Sequence, residues 1–409
     1  MSASPQRECT SLTEGQRPPF LIACLSMVLN GAIVVVLGAL LPVVVQDFSL
    51  GTAQAGMLVS SPAIGYVVAT LLAGTLADRW GYREVWLAGT GLGAIACLAT
   101  ALVPSYGGLL LVVIGLGLVG GLLDSGIDAS ISLLFGPRSG SALNQVHLFF
   151  GVGATATPFL VSLGLSQGMP WRGFYLLLAA LCLAVGLVVR GLHLPRPTTH
   201  PLGTSLPLGK LLASPLVAYS ALALLVYGGV EGCAFSWSAL YFNQVRALAP
   251  ELASLSVSAF SIMFIIGRLV ISQIVGRLGA KRVVLGGSLL GAAGWALLLL
   301  LPGKTLPWGG LVLVGLAFAG IFPTIVAEAA RRAASHTGAV TGLVLTSNGV
   351  GKIILPALVG WMAEGMGLAW AMGLAVIFSL VMALLYRLAW RSKALPQDAT
   401  CAGILSDRA

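Results

Sequence analysis

The chain has 409 residues, 57% of them hydrophobic and 9% charged, where ordinary soluble domains carry about 25% charged residues. That composition excludes a water-soluble globular protein. It also turns the formal charge of +9 into a question of membrane topology rather than of nucleic-acid binding. The 53 glycines exceed the usual share of about 7%, which suits helices whose backbones approach closely.

Apolar runs of roughly 20 residues, each about long enough to cross a 30 Å hydrocarbon core, recur along the chain. They predict spans at 19–45, 54–77, 84–104, 108–134, 141–166 and 172–191, then at 212–241, 252–276, 281–301, 308–330, 338–363 and 367–389. The expected fold class is an all-α membrane protein of twelve transmembrane helices. The first run is too long for a signal-peptide core and has no small-residue cleavage site behind it, so it reads as an uncleaved helix preceded by a tail, 1–18. Residues 192–211, LHLPRPTTHPLGTSLPLGKL, are rich in Pro, Thr and Ser and separate six spans in 19–191 from six in 212–389. Residues 390–409 form a second tail.

Of the 22 basic residues, seventeen fall in the tails and the loops on their side, three (Arg172, Arg246, Lys304) on the opposite side, and Arg268 and Lys352 within spans. By the positive-inside rule both termini are cytoplasmic, which for a prokaryote means the inner membrane and otherwise the plasma membrane. Trp171, Trp308 and Trp390 fall at span ends, where indole rings favour the headgroup zone. Cys9, Cys24, Cys97, Cys182, Cys233 and Cys401 place no pair in the external loops, so no disulfide is expected.

The two halves repeat one another. LLAGTLADRWGYREVWLAG at 71–89 matches LVISQIVGRLGAKRVVLGG at 269–287, placing Arg79, Gly81 and Arg83 on Arg277, Gly279 and Lys281. FGVGATATPFLVSL at 150–163 matches NGVGKIILPALVGW at 348–361, and GLGLVGGLLDSGIDAS at 115–130 matches GLAFAGIFPTIVAEAA at 315–330, with Asp128 on Glu328. Three matches in one order indicate two pseudo-symmetric six-helix bundles.

GTLADRWGYRE at 74–84 resembles the loop between the second and third helices of the major facilitator superfamily, and the resemblance covers nearly all of the chain. It implies two bundles enclosing a central cavity that opens to each side in turn. Gly74, Asp78, Arg79, Gly81 and Arg83 are then the expected conformational latch, whose ion pairs with helix ends break when the cytoplasmic side opens. In the second copy Gly276 replaces Asp78, which weakens that latch.

Charges inside spans are the natural functional candidates, since one at a helix centre costs roughly 2.5–3.5 kcal/mol on insertion scales. Asp124 and Asp128 lie four apart, on one helix face. Two such carboxylates in a poorly hydrated cavity suit a cation-coupling site, with His147 as a proton relay or a satisfied interior histidine. Sodium is the alternative to a proton. Asn30, Asn144, Tyr227, Glu231, Trp237, Asn348 and Lys352 are candidate substrate contacts: aromatic faces cover sugar C–H surfaces while carboxylate and amide groups meet hydroxyls. The bland reading makes Trp237 an anchor and Glu231 a charge partner. Arg268, too deep for the interface, is expected to pair with an acid. The deep charges number three acids against two bases, one cation short of neutrality.

Gly115, Gly117 and Gly120 satisfy GxGxxG inside an apolar helix, where close helix packing explains them better than a dinucleotide. No GxxxxGK[ST] loop, metal-ligand cluster or catalytic constellation appears. The expectation is a transporter rather than an enzyme, without cofactor or metal, driven by a proton or sodium gradient, monomeric, with a small-molecule substrate and the lipid bilayer as its partners. GxxxGGLLDSGIDA, ALNQVHLFFGVGA and YGGVEGCAFSW together resemble the branch containing fucose permease and the sodium-dependent glucose transporters, which implies sugar symport. Proton-driven efflux of a drug-like or secreted metabolite is the alternative.

Overall fold

A computed structural model describes residues 16–136, 139–192, 194, 208–333 and 336–393, leaving out the side chains of Gly74, Asp78, Leu208 and Lys210. Among the described residues there is no strand, and twelve helical segments are long and apolar enough to cross a membrane. Spans 1 to 6 are Arg17–Asp47, Thr52–Trp80, Tyr82–Leu102, Tyr106–Phe135, Ser139–Ser166 and Trp171–Arg190. Spans 7 to 12 are Pro215–Gln244, Pro250–Leu278, Ala280–Leu300, Pro307–Ala333, Thr337–Met366 and Leu368–Arg391. Most run a few residues past the predicted limits, because a helix continues beyond the hydrocarbon into the headgroup zone, where polar residues are tolerated. Span 10 is interrupted at Ala319–Gly320, where Pro323 has no N–H to give to the carbonyl four residues back. Of the segment 192–211, Leu192, Leu194 and the start of a short helix, Leu208–Leu212, are described.

The packing repeats with a shift of six spans. Span 1 packs on 5 as 7 packs on 11; 2 on 4 as 8 on 10; 3 on 4 as 9 on 10; 3 on 6 as 9 on 12. Between the halves, span 2 meets 11 and span 5 meets 8, two contacts that the same shift exchanges.

Glycine makes the close approaches possible. A Cβ on Gly31 would stand 2.2 Å from the Phe150 carbonyl oxygen, and one on Gly153 2.0 Å from that of Val28. The second half repeats this: Gly228 faces the Asn348 carbonyl at 2.2 Å and Gly351 that of Leu225 at 1.8 Å. Gly117, of the GxGxxG string, would meet the Pro62 carbonyl at 1.7 Å, so that string packs span 4 against span 2.

Gly81 and Gly279 are the single residues between spans 2 and 3 and between spans 8 and 9, with φ of 100° and 78°. These turns lie where only glycine is comfortable. A Cβ on Gly279 would meet nothing within 4 Å, so Gly279→Ala isolates backbone strain. We expect a loss of about 1–3 kcal/mol, read as a lower melting temperature of the purified protein. An unchanged melting temperature would refute the constraint.

The outer surface is apolar, with Leu111, Leu187 and Leu300 at 73%, 70% and 81% exposure, as lipid-facing positions require. One of the expected tryptophan anchors, Trp171, is corrected by packing, while Trp308 stays half-buried at the start of its span. Trp171 is buried, donating its indole N–H to Asp47 at 3.0 Å, and Trp308 packs on Phe242 with ring centroids 4.8 Å apart. Trp80, Trp361 and Trp370 are the exposed indoles instead. Cys24, Cys97, Cys182 and Cys233 are buried free thiols; Cys9 and Cys401 lie outside the described residues.

Candidate functional site

The halves enclose a cavity of about 1970 Å³ lined by both. On the side away from the termini it is sealed. Gly56 of span 2 and Gly360 of span 11 are in backbone contact, Gly38 of span 1 lies against the Phe235 carbonyl of span 7, and Ser258 of span 8 donates to the Thr155 carbonyl of span 5 at 2.8 Å. On the termini side the lining continues through Ser141, Gln145, Leu211, Val275, Ala280 and Arg331, so the cavity is open there.

The first half contributes two acids in different settings. Asp124 accepts from Asn30 Nδ2 at 2.7 Å on one oxygen and from Tyr66 OH at 3.0 Å on the other. Both Asp124 oxygens are thus occupied by neutral donors of the protein. Asp128, one turn on, meets the His147 ring, with Nε2 2.9 Å from Oδ1. That partner is an imidazole, a group able to take up and release a proton. Asp124, Asp128, His147 and Asn144 all line the cavity, whereas Asn30 is wholly buried. Asn30 is therefore corrected from a substrate contact to a support for Asp124. Tyr66 is a site residue that the sequence did not single out; its one signal was a hydroxyl in an apolar run, AIGYVVAT.

The second half turns its charges on each other. Lys352 Nζ lies 2.9 Å from Glu231 Oε2, and Tyr227 OH donates to Glu231 Oε1 at 2.8 Å. Glu231 and Lys352 reach the cavity wall, but Tyr227 and Trp237 do not. Trp237 is fully buried and donates to the Pro356 carbonyl at 3.2 Å. The aromatic wall expected from Tyr227 and Trp237 is corrected accordingly: Phe150, Phe235, Phe264 and Phe322 line the cavity instead. Glu328, the repeat mate of Asp128, is held by Arg331 at 2.6 Å and approached by Arg332 at 3.9 Å. One half thus pairs its acid with a titratable ring and the other with permanent cations.

Glu231 is buried but Lys352 is 40% exposed to the open cavity, so removing the lysine leaves a carboxylate that water in the cavity partly solvates. Lys352→Met should therefore destabilise the protein by less than the roughly 3–5 kcal/mol of a fully buried pair, and adding Glu231→Gln should restore most of the loss. A double variant as unstable as the single one would show that the pair does not act as a unit.

Arg268 corrects a further expectation. It lines the cavity, but no carboxylate lies within ion-pair distance among the described residues, and its guanidinium carbon sits 4.7 Å over the Phe264 ring. Asn348 is buried at the wall, without a hydrogen-bond partner among the described residues. In the cationic turn, Arg83 donates to the Arg190 carbonyl at the end of span 6 and stands 3.6 Å from Glu84, within its own half, while Arg79 is exposed. The side chains of Gly74 and Asp78 lie outside the described residues.

Two pseudo-symmetric six-helix bundles around a largely apolar cavity that holds a few charged residues, sealed on one side and open on the other, define a membrane carrier. The family model of the Major Facilitator Superfamily matches residues 23–354 and 248–400, and the chain belongs to that superfamily. It is a transporter and not an enzyme. An uncharacterized MFS-type transporter of Yersinia pestis is 25% identical over 351 residues, covering 84% of this chain and 88% of that protein. The probable nitrate/nitrite transporter NarK2 of Mycobacterium tuberculosis is 27% identical over 335 residues, covering 77% and 81%. The crystal structure of a mutant of the nucleoside transporter NupG superposes with a TM-score of 0.79 at 17% identity, over 92% of this chain and 99% of that one. The family uses no cofactor.

Proposed function

We propose that the protein is a proton-coupled symporter of a small polyhydroxylated solute, of the sugar class, lying in a plasma or bacterial inner membrane as a monomer with both termini cytoplasmic. The observation that carries this reading is the Asp128–His147 contact of 2.9 Å on the cavity wall. One proton added there changes the charge of the site by one, and imidazole is the side chain best suited to exchange it. Sodium is less suited, because a metal ion needs several bare oxygens: both oxygens of Asp124 accept hydrogen bonds from protein donors and one of the two Asp128 oxygens faces a ring nitrogen. The amides of Asn144, Gln145 and Asn348 line the same cavity as Phe150 and Phe264, offering hydrogen bonds and apolar faces in one space, which is the mixture a sugar presents. An even number of spans is in keeping with both termini on one side, and the excess of Arg and Lys in the loops on that side supports a cytoplasmic location.

The test is uptake of labelled glucose and gluconate into vesicles under an imposed proton gradient, an imposed sodium gradient, or neither. Accumulation driven by the proton gradient alone supports the reading. Equal uptake in all three conditions, or extrusion of dye-like cations without uptake of either solute, would replace it.

A further inference from the structure

Among the described residues, Arg268 is the one deep charge whose partner the protein does not supply. Asp124, Asp128, Glu231 and Glu328 are each met by donors or cations at 3.1 Å or less, and Lys352 is spent on Glu231. Arg268 makes no ion pair and no hydrogen bond among the described residues; its guanidinium is met by the Phe264 ring. It lies ten residues before the end of span 8 at Leu278, about 15 Å along the helix, too far for easy snorkelling to the interface. Arg268 is an exposed residue on the lining of the open cavity, and no described carboxylate offsets its charge.

The setting is also rigid. Beside Arg268, a Cβ on Gly267 would fall 2.6 Å from the Ala319 Cβ and 2.8 Å from the Leu316 carbonyl oxygen, so span 8 is locked against span 10 at this level. Phe264 covers one face of the guanidinium, and stacking of that kind leaves the in-plane N–H donors available. Those donors form a planar fork that matches two oxygens of a planar anion.

We infer that the solute carries a carboxylate that docks on Arg268, so that the substrate class is a hydroxylated monocarboxylate such as a sugar acid. This rests on the transport reading above and narrows it. A single unmatched cation suits one negative charge, whereas a phosphate dianion would call for a second, and Lys352 and Arg331 are already engaged by Glu231 and Glu328. Asn348, buried at the wall without a described partner, and the amides of Asn144 and Gln145 are left to receive the hydroxyls.

The experiment measures thermal shifts of the purified full-length protein with gluconate, glucuronate, glucose and nitrate, in the wild type, Arg268→Gln and Arg268→Lys. The expected result is saturable protection of the wild type by gluconate or glucuronate and none by glucose at the same concentration. Arg268→Gln should raise the half-saturating concentration at least tenfold, and Arg268→Lys, which keeps the charge but loses the fork, should fall between. Should Arg268→Gln not fold, the Lys variant carries the comparison. Protection by glucose as strong as by gluconate, carboxylate protection that survives Arg268→Gln or Arg268→Lys unchanged, protection by nitrate alone, or no shift with any probe would overturn the inference. Vesicle uptake separates the two claims. Proton-driven accumulation of glucose that ignores Arg268→Gln would sink the carboxylate assignment and keep the symporter, whereas wild-type vesicles that accumulate neither glucose nor gluconate would sink the symporter itself.

Discussion

Asp128→Asn is expected to abolish uphill accumulation while leaving exchange of solute across the membrane. The amide keeps the size and hydrogen-bonding reach of the carboxylate toward His147, 2.9 Å away, but cannot carry the charge that a proton would neutralise. With one coupled proton, a gradient of one pH unit supports about tenfold accumulation, since each unit is worth 1.36 kcal/mol. The variant should bring that ratio to one, while preloaded vesicles still exchange labelled for unlabelled gluconate. Asp124→Asn serves as the contrast. Its carboxylate is held by Asn30 and Tyr66, so replacing it disturbs packing of spans 1, 2 and 4 and should lower stability together with exchange. Persistence of tenfold accumulation in Asp128→Asn would remove Asp128 from the coupling role.

Gly351→Leu should prevent span 11 from docking on span 7. The first added carbon would lie 1.8 Å from the Leu225 carbonyl oxygen and 2.9 Å from the Gly229 nitrogen, and both are backbone atoms that cannot swing away. Overpacking usually costs about 1–3 kcal/mol where side chains can yield; here the helices themselves must separate, so the loss should exceed that range. The readout is size-exclusion of solubilised protein, with the monodisperse peak lost. On the same span a Cβ at Gly342 meets nothing within 4 Å, so Gly342→Ala should be neutral or stabilising by about 0.5–1 kcal/mol through helix propensity. A Gly351→Leu protein that elutes and melts as the wild type would show that this contact is not what holds the bundle.

Much of the candidate site was legible as residue types and little of it as partnerships. A charge inside an apolar run is conspicuous in one dimension, which is why Asp124, Asp128, Glu231, Arg268, His147 and Lys352 stood out. Which of them neutralise one another was not, because Glu231 and Lys352 are far apart in the chain and meet only when spans 7 and 11 pack. Arg268 looked like half of an ion pair for the same reason, and its lack of an acid emerges only once the nearby carboxylates have been placed. Trp237 misled in the opposite direction: an indole near a polar helix face suits a binding wall, yet a rotation about the helix axis puts it in the core.

What the sequence settled by itself was the class and the count. Hydrophobicity accumulates along a helix residue by residue, so the twelve spans and the duplication needed no knowledge of contacts. The tertiary structure alone decided which acid faces a titratable ring, which cation is left over, and which end of the cavity is shut. Those are relations between spans distant in the chain, fixed by how glycine-lined helices rotate against one another as they pack.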